Sequence, residues 1–211
     1  MNNSTTIGNV RFTHFGHASF EIESVDKVIY IDPFVLPNAP KKADVIFMTH
    51  EHYDHCTNYD VLAKTGTVLV TTQACADKLN VSAQIVTSGS KGDANGVKYE
   101  AVYAYNPAKQ FHPRGTGVGF VIEIGGLRIY HAGDTEYIPE MKNLKNIDVA
   151  LLPIGGNYTM DVEQAVQAAK TIKPKVVVPM HYGKTGSLNL PADTNMFSEK
   201  LKGTDIKVVI I

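Results

Sequence analysis

The stretch that decides the fold reads Met48-Thr49-His50-Glu51-His52-Tyr53-Asp54-His55-Cys56. It follows an apolar run, residues 45–48, that is typical of a buried strand in a layered α/β domain. A turn at the end of such a strand can direct several short side chains at one point. Imidazole is the commonest metal ligand, and a neighbouring carboxylate suits zinc, iron or manganese. A chance cluster of histidines is rare at this spacing, so the pattern predicts a metal site.

The motif offers too many ligands for one four-coordinate ion. His50 and His52 can bind one ion, while Asp54 and His55, on the other side of the turn, can bind a second. Two ions would need further ligands downstream. Three candidates each end an apolar run or lie in a loop that contains glycine or proline: His112, Asp134 and His181.

Composition limits the class of protein. The chain has 211 residues, 44% of them hydrophobic, and a formal net charge of -1. These values are typical of one globular domain, expected here over residues 1–211, with no general attraction to nucleic acid or to an anionic membrane. No apolar run approaches the roughly 20 residues of a membrane span, and the N-terminus lacks the features of a signal peptide. Two cysteines cannot form a disulfide framework, so we expect a cytoplasmic protein.

Strand-like runs alternate with short helices along the rest of the chain. Strands are predicted within residues 10–15, 18–23, 27–31, 67–71, 81–86, 97–105, 119–124, 127–131, 147–153, 175–180 and 206–211. Helices are predicted at 59–64, 73–79 and, most clearly, 161–172, where Asp161 can cap the first turn. Residues 88–93 and 106–117 are predicted to be loops. This order favours an α/β fold in which two sheets carry helices outside and the candidate ligands meet at one edge.

The complete set of motifs resembles that of the metallo-β-lactamase superfamily. The match comprises His50-x-His52-x-Asp54-His55, then His112, then Asp134 in a His-Ala-Gly-Asp-Thr segment, then His181, with Asp32 upstream. The resemblance implies a four-layer αβ/βα sandwich with a dinuclear metal site at one edge of the two sheets. Within the superfamily the chain most resembles the small cytoplasmic branch that also resembles ascorbate-6-phosphate lactonase, through residues 16–20 and 31–33 and the Gly-Asp-Thr and His-Tyr-Gly segments.

The resemblance also implies a role for each candidate ligand. The first ion would be bound by three histidines: His50, His52 and His112. The second would be bound by one carboxylate and two histidines: Asp54, His55 and His181. Asp134 would bridge both ions and, with Asp54, would belong to the catalytic machinery. Zinc is the expected metal because the site is rich in histidine, although manganese, iron or nickel fit the same ligands.

The implied activity is hydrolysis of a small ester, lactone or phosphoester by a hydroxide that two metal ions activate. His17 and Tyr53 could donate hydrogen bonds to the substrate, although packing is an equally open role for each. His131 is predicted to support the ligands rather than to bind metal. Asp32, where a strand meets Pro33, is suited to orient a histidine ligand; the alternative is a simple Asp-Pro turn.

Three loop cations raise the question of substrate charge. Lys109, Arg114 and Lys184 could bind an anionic substrate near the metal ions, although such side chains are more often solvated. The expected partner is a small molecule, with no nucleic acid and no membrane. Hydrophobic strand ends are also compatible with a homo-oligomer.

Other functions could use the same residues. A metal-loaded binding or sensing protein without turnover needs the same ligands and is the main alternative. Redox chemistry at two irons is disfavoured because His52 stands where a carboxylate would be expected. Among hydrolases, the missing export signal disfavours a β-lactamase, the short chain after His181 disfavours glyoxalase II, and the balanced charge disfavours a tRNA-processing nuclease.

Overall fold

Two seven-stranded sheets form the framework of the protein in a computed structural model that describes residues 3–211. The strands of the first sheet follow one another in space as they do along the chain. They are β1 (Ser4–Ile7), β2 (Val10–Gly16), β3 (Ser19–Glu23), β4 (Val28–Ile31), β5 (Val45–Met48), β6 (Val68–Thr71) and β7 (Gln84–Ile85).

The second sheet contains the remaining long strands. They are β8 (Lys91–Ala94), β9 (Val97–Ala104), β10 (Gly117–Ile124), β11 (Leu127–His131), β12 (Val149–Pro153), β13 (Val176–Met180) and β16 (Lys207–Val208). Their spatial order is β16-β13-β12-β11-β10-β9-β8. Between β13 and β16 the chain forms a separate hairpin of β14 (Gly183–Thr185) and β15 (Leu188–Leu190).

Both sheets change from antiparallel to parallel pairing along the chain. In the first sheet, neighbours from β1 to β4 pair antiparallel and neighbours from β4 to β7 pair parallel. In the second sheet, neighbours from β8 to β11 pair antiparallel, and the pairs β11–β12, β12–β13 and β13–β16 are parallel. Parallel neighbours need crossover connections, and these carry the helices. The helices are α1 (Tyr59–Leu62), α2 (Gln73–Leu79), a 3-10 helix (Pro139–Asn143), α3 (Val162–Ile172) and α4 (Thr194–Leu201). Within residues 3–211, none of them is long and apolar enough to cross a membrane.

Strand β5 shows how the layers are arranged. Its side chains alternate between two hydrophobic clusters because successive residues of a strand face opposite sides. Val45 and Phe47 belong to the large core that both sheets share, where the Phe47 ring centroid lies 5.0 Å from that of Phe120. Ile46 and Met48 belong to a second cluster that includes residues of α1 and α2. The prediction of an α/β sandwich with helices outside two sheets is therefore confirmed.

Helix α3 begins and ends as its sequence predicts. The Asp161 side chain accepts a hydrogen bond from the backbone N–H of Gln164, which satisfies one of the free N–H groups of the first turn. The helix buries the predicted apolar stripe: Val162, Ala165, Val166, Ala169 and Ile172. The helix ends at Ile172, Lys173 adopts a left-handed conformation as its C-cap, and Pro174 follows, which cannot continue a helix.

Some predicted boundaries are wrong. Residues 88–93 are not all loop, because Lys91–Ala94 forms an edge strand that pairs with β9. The turn between these strands is Asn95-Gly96, with φ of 53° and 85°, and this dipeptide is a strong hairpin signal that could have revealed the strand. The strands predicted at 81–86 and 206–211 shrink to Gln84–Ile85 and Lys207–Val208. β1, β14, β15, the 3-10 helix and α4 were not predicted, because short and partly exposed elements have weak hydrophobic periodicity.

Candidate metal centre

The predicted ligands lie in the loops that follow strands at one edge of the sandwich. The 50–55 segment follows β5, Asp134 follows β11 and His181 follows β13. His112 lies in the loop between β9 and β10. Parallel strands bring their carboxyl ends to the same edge of a sheet, which is where ligand sites of α/β proteins occur. The fold therefore collects side chains that are more than 130 residues apart in the sequence.

Three histidines form the first group. His52 Nδ1 lies 3.0 Å from His50 Nε2 and 3.0 Å from His112 Nε2. All three nitrogens lie within 4.8 Å of one another, which allows a single ion to contact them together. His50 and His112 are buried, so water does not solvate these nitrogens freely.

The second group contains Asp54, His55, His181 and, in addition, His17. One ligand atom of each lies within 4.8 Å of the others. Asp54 Oδ2 accepts a hydrogen bond from His17 Nε2 at 3.0 Å and lies 3.9 Å from His55 Nε2. His17 therefore contacts a predicted ligand directly.

Asp134 lies between the two groups. Its Oδ2 atom is 3.4 Å from His112 Nε2 of the first group and 3.1 Å from His181 Nε2 of the second. Its Oδ1 atom is 3.4 Å from His55 Nε2. The two oxygens of one buried carboxylate thus face both sets of candidate ligands.

Buried atoms without hydrogen-bond partners test whether these residues fit a metal ion. Buried polar side-chain atoms nearly always have a partner. In the described part of the chain, His55 Nε2, His181 Nε2 and Asp134 Oδ1 are buried and have none. His55 Nε2 lies 3.4 Å from Asp134 Oδ1, and His181 Nε2 lies 3.1 Å from Asp134 Oδ2. A divalent cation would be a suitable partner for each of the three unpartnered atoms. The donor set, imidazole nitrogen with carboxylate oxygen, fits zinc, manganese, iron or nickel.

Burial and neighbouring charges set the protonation of the histidines. Burial lowers the pKa of His50 well below its usual value, and burial also lowers the pKa of His112, so both rings are neutral. Burial would lower the pKa of His55 as well, but the carboxylates of Asp134 and Asp32 raise it well above its usual value. A metal ion at His55 would therefore displace a proton.

The two carboxylates of the site stay ionised. Burial alone would raise the pKa of Asp134, but the facing rings of His181 and His55 hold it well below its usual range. Burial opposes ionisation of Asp54 too, and the hydrogen bond from His17 lowers its pKa to about 2. At neutral pH the site therefore carries two negative charges that can balance bound cations.

Asp32 and Thr49 fix the orientation of two histidines. Asp32 Oδ2 accepts a 2.7 Å hydrogen bond from His55 Nδ1 and another of 2.7 Å from the Thr49 hydroxyl, while Oδ1 accepts from Thr49 N–H at 2.8 Å. The Thr49 hydroxyl gives its only hydrogen to Asp32, so it must accept from His50 Nδ1, 2.9 Å away. His50 then carries its hydrogen on Nδ1 and presents Nε2 as a free ligand atom. His55 donates from Nδ1 to Asp32, so its Nε2 becomes the ligand atom once a metal ion has displaced the proton there.

Asn106 performs a similar role for His112. Its amide nitrogen lies 3.0 Å from the Phe111 carbonyl oxygen and 2.7 Å from that of Tyr158, which uses both amide hydrogens. His112 Nδ1 therefore donates to the Tyr158 oxygen, 3.2 Å away, and Nε2 is left as the ligand atom. Neither Thr49 nor Asn106 was predicted, because nothing in the spacing of a threonine or an asparagine identifies its hydrogen-bond partner.

Replacing Asn106 by alanine is expected to weaken metal binding at the first group about tenfold. The change releases the 106–112 loop and leaves the His112 ring without a fixed orientation. Competition with a chromophoric chelator measures the affinity of each ion. Asn143→Ala, at an exposed asparagine of the 3-10 helix, is the matched control and should bind metal as the wild type does. Equal affinities in the two variants would contradict the orienting role.

The other predicted residues lie around the two groups. Tyr53 is exposed and its ring stands edge-on to Phe34, at the opening of the pocket. His131 is outside both groups: its Nε2 donates to the Ala18 carbonyl oxygen and its Nδ1 accepts from Gly133 N–H. This contact supports the turn that leads to Asp134.

His14, on β2, supports the second group from behind. It is buried, and its ring nitrogens lie 3.2 Å from the Ile211 oxygen and 3.0 Å from the His17 carbonyl oxygen. That carbonyl also accepts a 2.6 Å hydrogen bond from His181 N–H. His14 thus supports the backbone that carries two residues of the second group.

Backbone strain is concentrated at this site. Nine described residues other than glycine have positive φ. Four of these are asparagines, which adopt this conformation readily, and a fifth is Lys173, the C-cap of α3. The remaining four all belong to the site: His17 (55°), Asp32 (45°), His112 (59°) and His181 (55°). Each such conformation costs roughly 1–3 kcal/mol, and such residues cluster where function requires a fixed geometry.

Comparison with known proteins identifies the family of the chain. The family described as "Beta-lactamase superfamily domain" matches residues 11–181. A UPF0173 metal-dependent hydrolase of Symbiobacterium thermophilum is 39% identical over 189 residues, which cover 82% of this chain and 84% of the relative. Another from Thermococcus onnurineus is 38% identical and covers 96% of each chain. The chain therefore belongs to the metallo-β-lactamase superfamily, and within it to the UPF0173 metal-dependent hydrolases.

Solved structures show the same relationship. A protein of Parabacteroides distasonis that is assigned to the metal-dependent hydrolases has a TM-score of 0.89 at 32% identity, covering 100% of this chain and 98% of its own. Igni18, a metallo hydrolase of Ignicoccus hospitalis, has a TM-score of 0.79 at 31% identity and covers 96% and 94%. The predicted superfamily, the fold and the class of enzyme, a metal-dependent hydrolase, are thus confirmed.

Proposed function

We propose that the protein hydrolyses a small ester, lactone or phosphoester with the help of two divalent ions. The position of Asp134 carries this proposal, because one carboxylate faces both groups of candidate ligands at 3.1–3.4 Å. A single structural ion would need neither a shared carboxylate nor seven ligand side chains. We assign His50, His52 and His112 to the first ion and Asp54, His55 and His181 to the second.

When bound, two such ions lower the pKa of a water molecule and polarise the bond to be cleaved. The protein residues supply the geometry of the reaction. Asp32 and Thr49 hold two imidazoles in the ligand tautomer, and Asn106 holds a third. Asp134 keeps negative charge where two cations would repel each other. Asp54 lines the pocket, and its ionised carboxylate would balance part of the charge of the second ion.

The metal and the branch of the superfamily belong to the same proposal. Zinc is the first choice for a site with five candidate histidine ligands, and manganese, iron and nickel are the alternatives. The resemblance to the ascorbate-6-phosphate lactonase branch favours a lactone or another cyclic ester over a thioester. We expect a small molecule as the substrate, because nine side chains line the pocket at the ligands.

Metal content and hydrolysis together test the proposal. We expect about two equivalents of metal per chain by plasma mass spectrometry, and cleavage of at least one compound in a panel of aryl esters, lactones and phosphodiesters. His50→Ala should lose an equivalent of metal and most of the hydrolytic rate. A protein that binds two ions but cleaves nothing would favour the alternative, a metal-loaded binding or sensing protein. A chain that takes up no metal would refute both the hydrolase and the metal-loaded binding protein.

A further inference from the structure

The pocket at the candidate ligands has an apolar mouth. Nine residues line it, and five of them are candidate ligands: His52, Asp54, His112, Asp134 and His181. The other four are aromatic or aliphatic: Tyr53, Phe111, Tyr158 and Leu188. Tyr53 and Phe111 are 56% and 48% exposed, which is unusual for aromatic rings in a protein that buries most of its large apolar side chains.

The aromatic rings come from both halves of the chain. Tyr53, after β5, stands edge-on to Phe34 with 5.7 Å between ring centroids. Phe111, in the β9–β10 loop, stands edge-on to Tyr158 with 5.2 Å between centroids. Edge-to-face contact holds each ring in place, so these surfaces are arranged before a ligand arrives. Leu188, on the β14–β15 hairpin, adds an aliphatic side chain.

Positive side chains are absent from this mouth. No lysine or arginine of residues 3–211 lines the pocket. The Lys109 ammonium group donates to the carbonyl oxygens of Gly156 and Thr159 and lies 3.7 Å from Glu136, so it supports the loops from within. Lys184 is exposed on β14 but is not among the lining residues.

The remaining loop cation is also engaged. Arg114 forms a 2.9 Å ion pair with Glu140, and its guanidinium lies over the rings of Tyr103 and Tyr105 at 4.4 and 5.0 Å. The alternative that these cations bind an anionic substrate therefore has no support in the geometry. An anionic group placed against this mouth would find no lysine or arginine among the lining residues to compensate its lost hydration, which disfavours its binding.

We propose that the pocket selects a neutral ester or lactone that carries an aromatic or branched apolar group. This inference rests on the proposed hydrolase function. The reacting bond would lie at the ligands, and the apolar group would lie among Tyr53, Phe111, Tyr158 and Leu188. Water adds to the carbonyl carbon and the C–O bond breaks, with the acid and the alcohol as products. Phosphorylated or carboxylated relatives of the same substrate are rejected at the mouth.

Matched substrates test the selection. We compare phenylacetate methyl ester with its para-carboxylate and para-phosphate derivatives and with methyl acetate, on protein loaded with two ions. The neutral phenyl ester should have a kcat/KM about tenfold or more above that of either anionic derivative. Phe111→Ala should raise KM for the phenyl ester about tenfold and lower the ratio of its kcat/KM to that of methyl acetate by a similar factor. Met196→Ala, at an exposed apolar residue of α4, is the control. Higher kcat/KM for an anionic derivative overturns the inference.

Two further measurements separate this inference from the proposed function. Leu188→Lys should reverse the preference, because it places a cation at the mouth; an unchanged preference would overturn the inference. Binding of benzyl methyl ketone, which cannot be hydrolysed, is followed by calorimetry and should weaken in Phe111→Ala but not in Met196→Ala. Ketone binding without turnover of any ester would refute the hydrolase function and leave the selective pocket standing. Ester turnover together with equal binding of the ketone to both variants would refute the selective pocket and leave the hydrolase function standing.

Discussion

Asp134→Asn is expected to lower kcat/KM by at least about a thousandfold on any substrate that the wild type cleaves. Asparagine has nearly the same shape as aspartate, so the buried turn after β11 should fold as before. It cannot offer two anionic oxygens to the rings of His112, His181 and His55, which all lie within 3.4 Å. The electrostatic balance of two neighbouring cations would then be lost.

Steady-state kinetics and plasma mass spectrometry measure this effect together. The metal content should fall below two equivalents, because both groups of ligands lose their shared carboxylate. Asp193→Asn is the control: Asp193 caps α4, asparagine caps helices equally well, and the residue lies outside both groups. An Asp134→Asn protein with two ions and a kcat/KM within threefold of the wild type would refute the bridging role.

Asp32→Ala is expected to weaken the binding of both ions by about 10- to 100-fold. The Asp32 carboxylate contacts no candidate metal position itself, but it holds His55 directly and His50 through the Thr49 hydroxyl. Its removal also leaves buried hydrogen-bond donors unsatisfied, which should lower the free energy of unfolding by about 3 kcal/mol.

A second variant distinguishes orientation from general damage. Thr49→Val keeps the shape of the side chain and removes only its hydroxyl, so it should weaken the ion at His50 and leave the ion at His55 nearly unaffected. Chelator competition measures both affinities, and denaturant unfolding of the chelated proteins measures stability. If Thr49→Val and Asp32→Ala weakened both ions to the same degree, the two separate hydrogen-bond paths would be refuted.

The parts of the site that could be predicted are those that depend on residue type and strand ends. The segment after β5 crowds imidazole and carboxylate groups at a spacing that few other structures need. His112, Asp134 and His181 each stand after an apolar run or in a long loop, and the structure brings all of them within one pocket. The sandwich could be predicted because the strands that cross its centre are strongly apolar and regular.

The parts that could not be predicted depend on contacts between distant residues. The Thr49 hydroxyl orients His50 only because Asp32, 17 residues earlier, takes its hydrogen. Asn106 orients His112 through a carbonyl 52 residues away in the sequence. Whether a loop cation is free to bind a substrate likewise depends on the distant groups beside it: Lys109 donates to carbonyl oxygens of residues 156 and 159, and Arg114 pairs with Glu140. Edge elements were missed because a short strand that is half exposed has too few apolar positions to show a period.

The division of the ligands between the two sheets has a mechanical consequence. The first half of the chain supplies four of the seven candidate ligands and the second half supplies three, so bound ions would fasten one half to the other. A ligand present at a thousand times its dissociation constant stabilises the folded state by about 4 kcal/mol. Removing the ions with a chelator would then weaken the association of the two halves as well as stop the chemistry. If the chain were cut between β7 and β8, the two fragments would associate more tightly with metal than without it.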